Sequence, residues 1–126
     1  MSKLKGTVFK GSATALITPF ICGNVDYIRL GSLIEHQIKE GADALVITGT
    51  TGESCSLTVE EQKEILRFAL EKARGRIPMI AGTGSNNVSR ALEMSKFADA
   101  LGYNGLLVVT PYYNKATDQG LIKSYL

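Results

Sequence analysis

Apolar residues along this chain alternate between short continuous runs and longer stretches in which they recur every three or four positions. A short apolar run bounded by turn residues is typical of a strand buried in a parallel sheet, whereas the longer spacing is typical of an amphipathic helix. The runs predict four strands, at residues 12–20, 44–48, 78–81 and 106–110. Pro19 should close the first strand, because proline cannot donate a hydrogen bond to a neighbouring strand.

Each predicted strand is followed by helix signals. Thr58 and Glu61 form a capping box, in which each side chain can bond the other residue's backbone N–H. The other expected helix starts are at Asp26, at Asn86 or Asn87, and after Thr117. The expected helix ends are at Gly41, Gly75 and Gly102. The apolar faces predicted for the first three helices are Leu30, Leu33, Ile34 and Ile38; Ile65, Leu66, Ala69, Leu70 and Ala73; and Ala91, Met94, Ala98 and Leu101. The apolar positions of the fourth helix are Leu121, Ile122 and Tyr125. This strand–helix order indicates four βα units.

Two α/β architectures use this repeat, the doubly wound open sheet and the (βα)8 barrel. No G-x-G-x-x-G motif follows the first strand, and residues 82–84 are too short to replace it, so a dinucleotide-binding sheet is disfavoured. A typical barrel has about 250 residues and eight strands. We therefore expect residues 1–126 to form one incomplete domain, about half of a barrel, that either belongs to a larger protein or pairs with a partner.

The loops after the strands contain the candidate chemistry. Residues 49–54, 82–86 and 111–114 follow three neighbouring strands, and such loops converge at the carboxyl end of a parallel sheet. The first loop, G-T-T-G-E-S, combines glycines that permit close backbone approach with two threonine hydroxyls. That combination suits a small carboxylate ligand, although Gly/Thr-rich sequences also form ordinary tight turns.

Composition excludes several classes of protein. The net charge is +2, with 44% hydrophobic and 21% charged residues, so neither nucleic acid nor a membrane surface is an expected partner. Cys22 and Cys55 form neither a disulfide framework nor a paired metal motif, which favours a reducing, cytoplasmic location and no metal. No apolar run suggests a signal peptide or a membrane anchor.

Three segments together resemble one enzyme family. Residues 49–54 (GTTGES), 80–84 (IAGTG) and 109–114 (VTPYYN), in this order, are similar to those of dihydrodipicolinate synthases, and residues 11–20 look like the first strand of that family. The resemblance runs from about residue 9 to the last residue. It implies the amino-terminal half of a (βα)8 barrel in a class I aldolase, a lyase that needs no cofactor and assembles as a homodimer or homotetramer.

The resemblance also implies a reaction and residue roles. Family members condense pyruvate with aspartate semialdehyde, on the way to lysine and diaminopimelate, through a Schiff base on an active-site lysine. By motif, Thr50 would be the relay hydroxyl, and Thr51 with the Gly52 backbone would hold the pyruvate carboxylate. Tyr113 would reach into a neighbouring subunit's site, and Tyr112 would lie at the subunit interface. Packing at an interface remains an alternative role for both tyrosines.

The family's Schiff-base lysine lies on a later strand, beyond residue 126. None of the lysines present is expected to end a strand inside a barrel. They are Lys3, Lys5 and Lys10 before the first strand, Lys39, Lys63, Lys72, Lys96 and Lys123 in predicted helices, and Lys115 in a loop. The chain is therefore expected to carry the binding and relay residues without the nucleophile, and to be inactive alone.

The resemblance further implies a cleft that binds the feedback inhibitor lysine in some members. Ser54, Asn86 and Tyr112 match that cleft, but Arg90 stands where inhibited members have a glutamate. Val59 and Gln62 stand where some inhibited members have histidines. An arginine would face the inhibitor's ammonium group with like charge, so low sensitivity to lysine is expected.

Two other functions remain open. N-acetylneuraminate lyases and keto-sugar-acid aldolases share the pyruvate-binding loop, although the doubled tyrosine after Thr110 and Pro111 favours the synthase. A non-catalytic half-barrel that serves as an assembly module is the alternative from a different functional class.

Overall fold

The computed structural model describes residues 6–124 as an α/β fold. Its elements are β1 (Ala13–Ala15), β2 (Phe20–Ile21), β3 (Asn24–Val25), α1 (Tyr27–Lys39), β4 (Ala44–Ile47), a 3₁₀ turn (Ser54–Ser56), α2 (Val59–Ala73), β5 (Met79–Gly82), α3 (Val88–Leu101), β6 (Gly105–Leu107) and α4 (Asp118–Ser124). The predicted alternation of strands and helices is confirmed.

Four strands form a parallel sheet in the order β1-β4-β5-β6. Each neighbouring pair is joined through a helix, with Thr14 opposite Leu45, Val46 opposite Ile80 and Ala81 opposite Leu106. Since all four strands run the same way, their carboxyl ends lie along one edge of the sheet. The loops predicted to hold the chemistry follow β4, β5 and β6 at that edge.

The first and last strands of the sheet differ from the prediction. The strand expected at residues 12–20 is shortened to β1, and one further backbone bond joins the Leu16 N–H to the Val46 carbonyl at 3.0 Å. The strand expected at residues 106–110 is replaced by β6, which ends at Leu107. Beyond it, the backbone of Val109 lies so close to Gly84 that a Cβ on that glycine would approach the Val109 nitrogen to 2.4 Å. The two segments therefore stay in close backbone contact beyond the last residue of β6.

A small antiparallel hairpin follows β1 and was not predicted. Its strands β2 and β3 pair Phe20 with Val25 and Ile21 with Asn24. The two turn residues both have positive φ, 48° at Cys22 and 78° at Gly23. This is the backbone that two-residue hairpins favour, because its twist matches that of the strands.

The predicted helix caps agree with the structure. The Asp26 side chain accepts from the first turn of α1, and Thr58 and Glu61 complete both bonds of the capping box that starts α2. Asn87 rather than Asn86 caps α3, and α4 begins immediately after Thr117. Of the apolar positions predicted for the fourth helix, Tyr125 lies outside the described residues.

One apolar core joins the helices to the sheet. Alternate residues of the two central strands, Leu45 and Ile47 of β4 and Met79 and Ala81 of β5, share it. Because alternate strand residues face the same way, this side of the sheet is the one that the helices cover. The helix residues at full burial in this core are Ile34, Ile65, Leu66, Ala69, Ala73 and Ala98.

The outer strands of the sheet leave edges and apolar side chains exposed. Within residues 6–124, β1 pairs only with β4 and β6 only with β5. Exposed apolar residues in and beside these strands and in the segment that follows β6 are Ile17, Leu106, Leu107, Val108 and Val109. None of the described helices combines the length and apolarity needed to cross a membrane.

Candidate active-site loop and adjoining cavity

The loop after β4 is a tight turn built on unusual backbone geometry. Thr48, at its start, is 2% exposed and has φ 55°, which is rare for a β-branched residue. The Gly52 N–H then donates to the Gly49 carbonyl at 3.1 Å, and the Glu53 N–H donates to the Thr50 carbonyl at 3.0 Å. These bonds fold the loop back on itself and leave Thr50 and Thr51 exposed.

The segment that follows the first strand holds Gly52 in place. The Thr18 hydroxyl donates to the Gly52 carbonyl at 2.6 Å, and both groups are buried. A Cβ on Gly52 would lie 3.1 Å from the Leu16 carbonyl oxygen and 3.2 Å from the Thr48 Cα. Only a residue without a side chain fits there comfortably, so this glycine sets the shape of the loop. Sequence reasoning placed Thr18 in a strand and assigned it no role.

The end of β5 fixes the other side of the loop. The Gly82 carbonyl accepts from the Thr48 hydroxyl and from the Gln62 side-chain amide, each at 3.0 Å. A Cβ on Gly82 would lie 2.4 Å from the Thr48 carbonyl oxygen and 2.6 Å from the Gly49 nitrogen. The two glycine-containing loops therefore meet backbone to backbone.

Tyr113, the other predicted catalytic residue, projects into solvent. It is 98% exposed and has φ 68°, which turns the chain sharply after Tyr112. Such exposure leaves the ring free of contacts that would fix its position within the described residues. Within the described residues, the structure does not bring Tyr113 into the core of the site that contains Thr50.

A cavity of about 420 Å³ lies beside the loop, and all four residues predicted for the inhibitor cleft line it: Ser54, Asn86, Arg90 and Tyr112. Cys55 and Gln62 line it as well. The walls come from the loop after β4, the loop after β5, the start of α3 and the loop after β6. The structure therefore brings together the four predicted residues, although Ser54 and Tyr112 are 58 positions apart in the sequence.

Hydrogen bonds hold Tyr112 over this cavity. Its hydroxyl lies 3.1 Å from the Cys55 sulfur, and the neighbouring Asn114 side chain donates to the Asn86 carbonyl at 3.2 Å. The hydrogen bond with Cys55 raises the pKa of the Tyr112 hydroxyl above its ordinary value, and partial burial adds to the rise. Hydrogen bonds from the Asn86 backbone and the Ser85 side chain act in the opposite direction. The phenol therefore remains protonated at neutral pH.

Arg90 occupies the wall of the cavity rather than solvent. One guanidinium nitrogen, Nη2, donates to the Leu57 carbonyl at 3.0 Å and lies 3.4 Å from the Gln62 side-chain oxygen. Its backbone N–H is the one that the Asn87 side chain caps. The arginine thus joins the start of α3 to the turn that precedes α2.

No lysine of residues 6–124 lies in a strand or in the loops after β4 and β5. Lys39, Lys63, Lys72, Lys96 and Lys123 lie in helices, and Lys10 and Lys115 lie in irregular segments. Lys3 and Lys5 fall outside the described residues. The described part of the chain also holds no group of three or more side chains suited to a metal ion.

A larger cavity, of about 880 Å³, lies elsewhere, against α1 and α2. Its walls include the apolar residues Ile28 and Phe68 and the charged pair Glu35 and Lys72, whose nearest charged atoms are 3.6 Å apart. None of the strand-end loops contributes to it. We therefore assign the candidate chemistry to the smaller cavity and the adjoining loop.

Comparisons with known proteins match almost the whole chain to one family. A family model described as "Dihydrodipicolinate synthetase family" matches residues 8–126. A 4-hydroxy-tetrahydrodipicolinate synthase of Thermoanaerobacter sp. (strain X514) is 54% identical over 118 residues, covering 94% of this chain and 40% of that protein. The chain thus spans about two fifths of the length of the curated relatives it matches.

Solved structures give the same result. The chloride-inhibited dihydrodipicolinate synthase from Acinetobacter baumannii, complexed with pyruvate, matches with a TM-score of 0.90 at 42% identity, over 94% of this chain and 41% of that one. The enzyme from Cyanidioschyzon merolae with lysine bound matches with a TM-score of 0.85 at 42% identity, over 90% of this chain and 39% of that one.

Proposed function

Because this chain belongs to the dihydrodipicolinate synthetase family, we propose that it is the amino-terminal half of a (βα)8-barrel lyase that condenses pyruvate with aspartate semialdehyde. The observation that carries the proposal is the loop after β4, which is held in one conformation by Thr18, Thr48 and Gly82 while Thr50 and Thr51 stay exposed. A site whose backbone is fixed before the substrate arrives loses little entropy on binding.

Half of a barrel would explain why the outer edges of β1 and β6 have no neighbouring strand within the described residues. In a closed barrel, β1 and β6 would each gain a neighbour, and Leu107 and Val109 would face other strands or loops rather than solvent. The rest of the barrel would be supplied by further chain, as in relatives about two and a half times as long as the matched region. The exposed Tyr113 would be covered by another subunit of a dimer or tetramer.

Thr51 is the proposed contact for the pyruvate carboxylate. Both backbone groups of Gly52 already have partners: the N–H bonds Gly49 within the loop, and the carbonyl accepts from Thr18 outside it. We therefore assign the main contact to the Thr51 hydroxyl, with the Gly52 N–H as a shared donor. A hydroxyl beside a fixed turn suits a carboxylate, which accepts several hydrogen bonds at once.

Thr50 is the proposed proton relay, together with Tyr113 from a neighbouring subunit. A hydroxyl can accept one proton while donating another, so it moves protons without itself becoming charged. The Schiff-base lysine would come from the part of the barrel beyond this chain. Placed in a water-poor interior, its amine would have a lowered pKa and so act as the nucleophile.

The cavity beside the loop is the proposed inhibitor cleft, with Ser54, Asn86, Arg90 and Tyr112 in its walls. The relative from Cyanidioschyzon merolae has lysine bound. In this chain Arg90 gives the cleft a positive charge, so we propose that lysine binds it weakly.

A chimera tests the proposed reaction. Residues 1–126 would be fused to the carboxyl-terminal part of the Thermoanaerobacter synthase and assayed with pyruvate and either aspartate semialdehyde or N-acetylmannosamine. We expect turnover of pyruvate with aspartate semialdehyde but not with N-acetylmannosamine. The opposite result would indicate an N-acetylneuraminate lyase instead. Thr50→Val should lower kcat about a hundredfold or more with little change in pyruvate affinity, whereas Thr51→Val should weaken pyruvate binding.

A further inference from the structure

The carbonyl of Gly82 is a junction between the candidate loop and the adjoining cavity. It accepts from the Thr48 hydroxyl and from the Gln62 side-chain nitrogen, each at 3.0 Å. Both donor residues are almost fully buried, Thr48 at 2% and Gln62 at 3% exposure. Buried donors are normally satisfied by an acceptor inside the protein, and this one carbonyl serves both side chains.

Gln62 continues the connection towards the cavity. Its side-chain oxygen lies 3.4 Å from Arg90 Nη2, and the same nitrogen donates to the Leu57 carbonyl at 3.0 Å. Gln62 and Arg90 both line the cavity. A primary amide is suited to this position because it donates at one end and accepts at the other. Neither leucine nor ionised glutamate can replace both functions.

Thr48 makes the backbone of the loop sensitive to this network. A β-branched residue at φ 55° is strained, and such a conformation persists only when the surroundings hold it. The hydroxyl bond to Gly82 is one such restraint, and the contact between the Gly82 and Gly49 backbones is another. A shift of the Gly82 carbonyl would therefore relax the turn that presents Thr50 and Thr51.

We propose that Gln62 is a positioning residue: it couples the position of the Arg90 side chain in the cavity to the conformation of the loop that carries Thr50 and Thr51. The chain of contacts is Arg90, Gln62, Gly82 and Thr48. A molecule in the cavity that drew Arg90 away would loosen Gln62 and, through Gly82, the loop. The role of this loop in binding substrate rests on the proposed function, but the coupling between Arg90 and the loop does not.

Hydrogen exchange of the 126-residue chain tests the connection without any ligand. The informative amides are those of Gly52 and Glu53, which close the loop by bonding to Gly49 and Thr50. Gln62→Leu should speed their exchange about tenfold beyond any change in the interior amides of α2, since one ordinary net hydrogen bond is lost. Gln62→Glu should act in the same direction, because an ionised carboxylate cannot donate to Gly82.

Tyr103→Phe is the matched control. The Tyr103 hydroxyl donates to the Leu66 carbonyl at 2.9 Å, so this variant also removes one buried hydrogen bond to α2. It lies away from the loop and should change the loop amides no more than the interior of α2. If Gln62→Leu and Tyr103→Phe speed the exchange of the Gly52 and Glu53 amides equally, Gln62 only stabilises the fold and the proposal is overturned.

A double-variant cycle tests whether Arg90 acts through Gln62. Arg90→Met alone should speed exchange at Gly52 and Glu53 by a smaller factor than Gln62→Leu. In the Gln62→Leu background the same change should add nothing at these two amides. An undiminished Arg90 effect in that background would show a route that bypasses Gln62 and contradict the inference. Because no pyruvate is used, failure here is distinguishable from failure of the proposed reaction.

Discussion

The Thr18 hydroxyl donates to the Gly52 carbonyl at 2.6 Å, and this buried bond joins the segment after the first strand to the candidate substrate loop. The two residues are 34 positions apart. The bond spans the first two neighbouring strands of the sheet, so the loop is braced on this side as well as by Gly82 on the other.

Replacing Thr18 tests how much this bond stabilises the fold. Thr18→Val keeps the shape of the side chain but leaves the Gly52 carbonyl without its buried donor, which should lower the free energy of unfolding by about 1–3 kcal/mol. Ser32→Ala is the control, because Ser32 bonds the Ile28 carbonyl on an exposed helix surface and should cost under about 0.5 kcal/mol. Urea denaturation of both variants gives the comparison, and equal costs would contradict this reading.

The exposed edge of the sheet should make the chain self-associate. Leu107 is 50% exposed on β6, whose outer edge has no partner within the described residues. We expect sedimentation coefficients that rise with concentration, because unpaired edges and apolar side chains bind second copies. Leu107→Lys should reduce the association. Ile28→Lys changes a residue that is 85% exposed on α1 and should not.

A folded monomer at all concentrations, with no binding of a hydrophobic dye, would argue against half of a barrel. It would indicate that the chain covers the outer edges of its sheet without a second copy.

Burial of Tyr103 predicts a loss of stability in alkali. Its hydroxyl is almost fully buried, and burial raises its pKa far above the ordinary value of 10.0. The unfolded chain can therefore lose this proton above pH 10 while the folded chain keeps it, so the free energy of unfolding should fall as the pH rises past that value. The slope approaches about 1.4 kcal/mol per pH unit for one proton.

Tyr103→Phe provides the control for that slope. The variant loses the bond to the Leu66 carbonyl and starts from a lower stability, but it has no buried phenol to ionise. Its stability should therefore fall less steeply above pH 10 than that of the parent chain. Identical slopes in urea titrations would assign the alkaline loss to other groups.

Arg90 predicts insensitivity to lysine. In the chimera with the Thermoanaerobacter relative, an ammonium group in the cavity would meet the Arg90 guanidinium, and like charges across an interface cost several kcal/mol, or about a hundredfold or more in affinity. Arg90→Glu should restore part of the inhibition. Arg74→Glu makes the same charge change at the exposed end of α2 and should restore none. Strong inhibition of the unmodified chimera would show that Arg90 does not oppose the ligand.

Much of this fold could be predicted from the sequence because its signals are local. The caps at Asp26 and Thr58 and the apolar runs of β4 and β5 depend only on neighbouring residues. The hairpin of β2 and β3 could not be predicted, because two-residue strands are too short to show an alternation of apolar and polar residues. Gly23 was the main local signal for its turn.

The polar contacts of the site depend on the tertiary structure and could not be predicted in the same way. Thr18 looked like part of an apolar strand, and its partner Gly52 lies on another strand's loop. The position of Gln62 in the helical pattern does indicate that its side chain is buried. It falls three residues before Ile65, on the buried face of α2, where a polar residue needs an internal partner. That partner, the Gly82 carbonyl, becomes visible only in the fold.

Borohydride trapping with pyruvate tests most directly whether this chain holds the binding and relay half of the site without the nucleophile. Reduction captures a Schiff base as a stable adduct, and intact-mass and peptide spectra locate it. We predict no adduct on the 126-residue chain and one adduct on the chimera, at a lysine outside residues 1–126. An adduct on any lysine of this chain, or a chimera that cannot be trapped while binding pyruvate, would contradict the account.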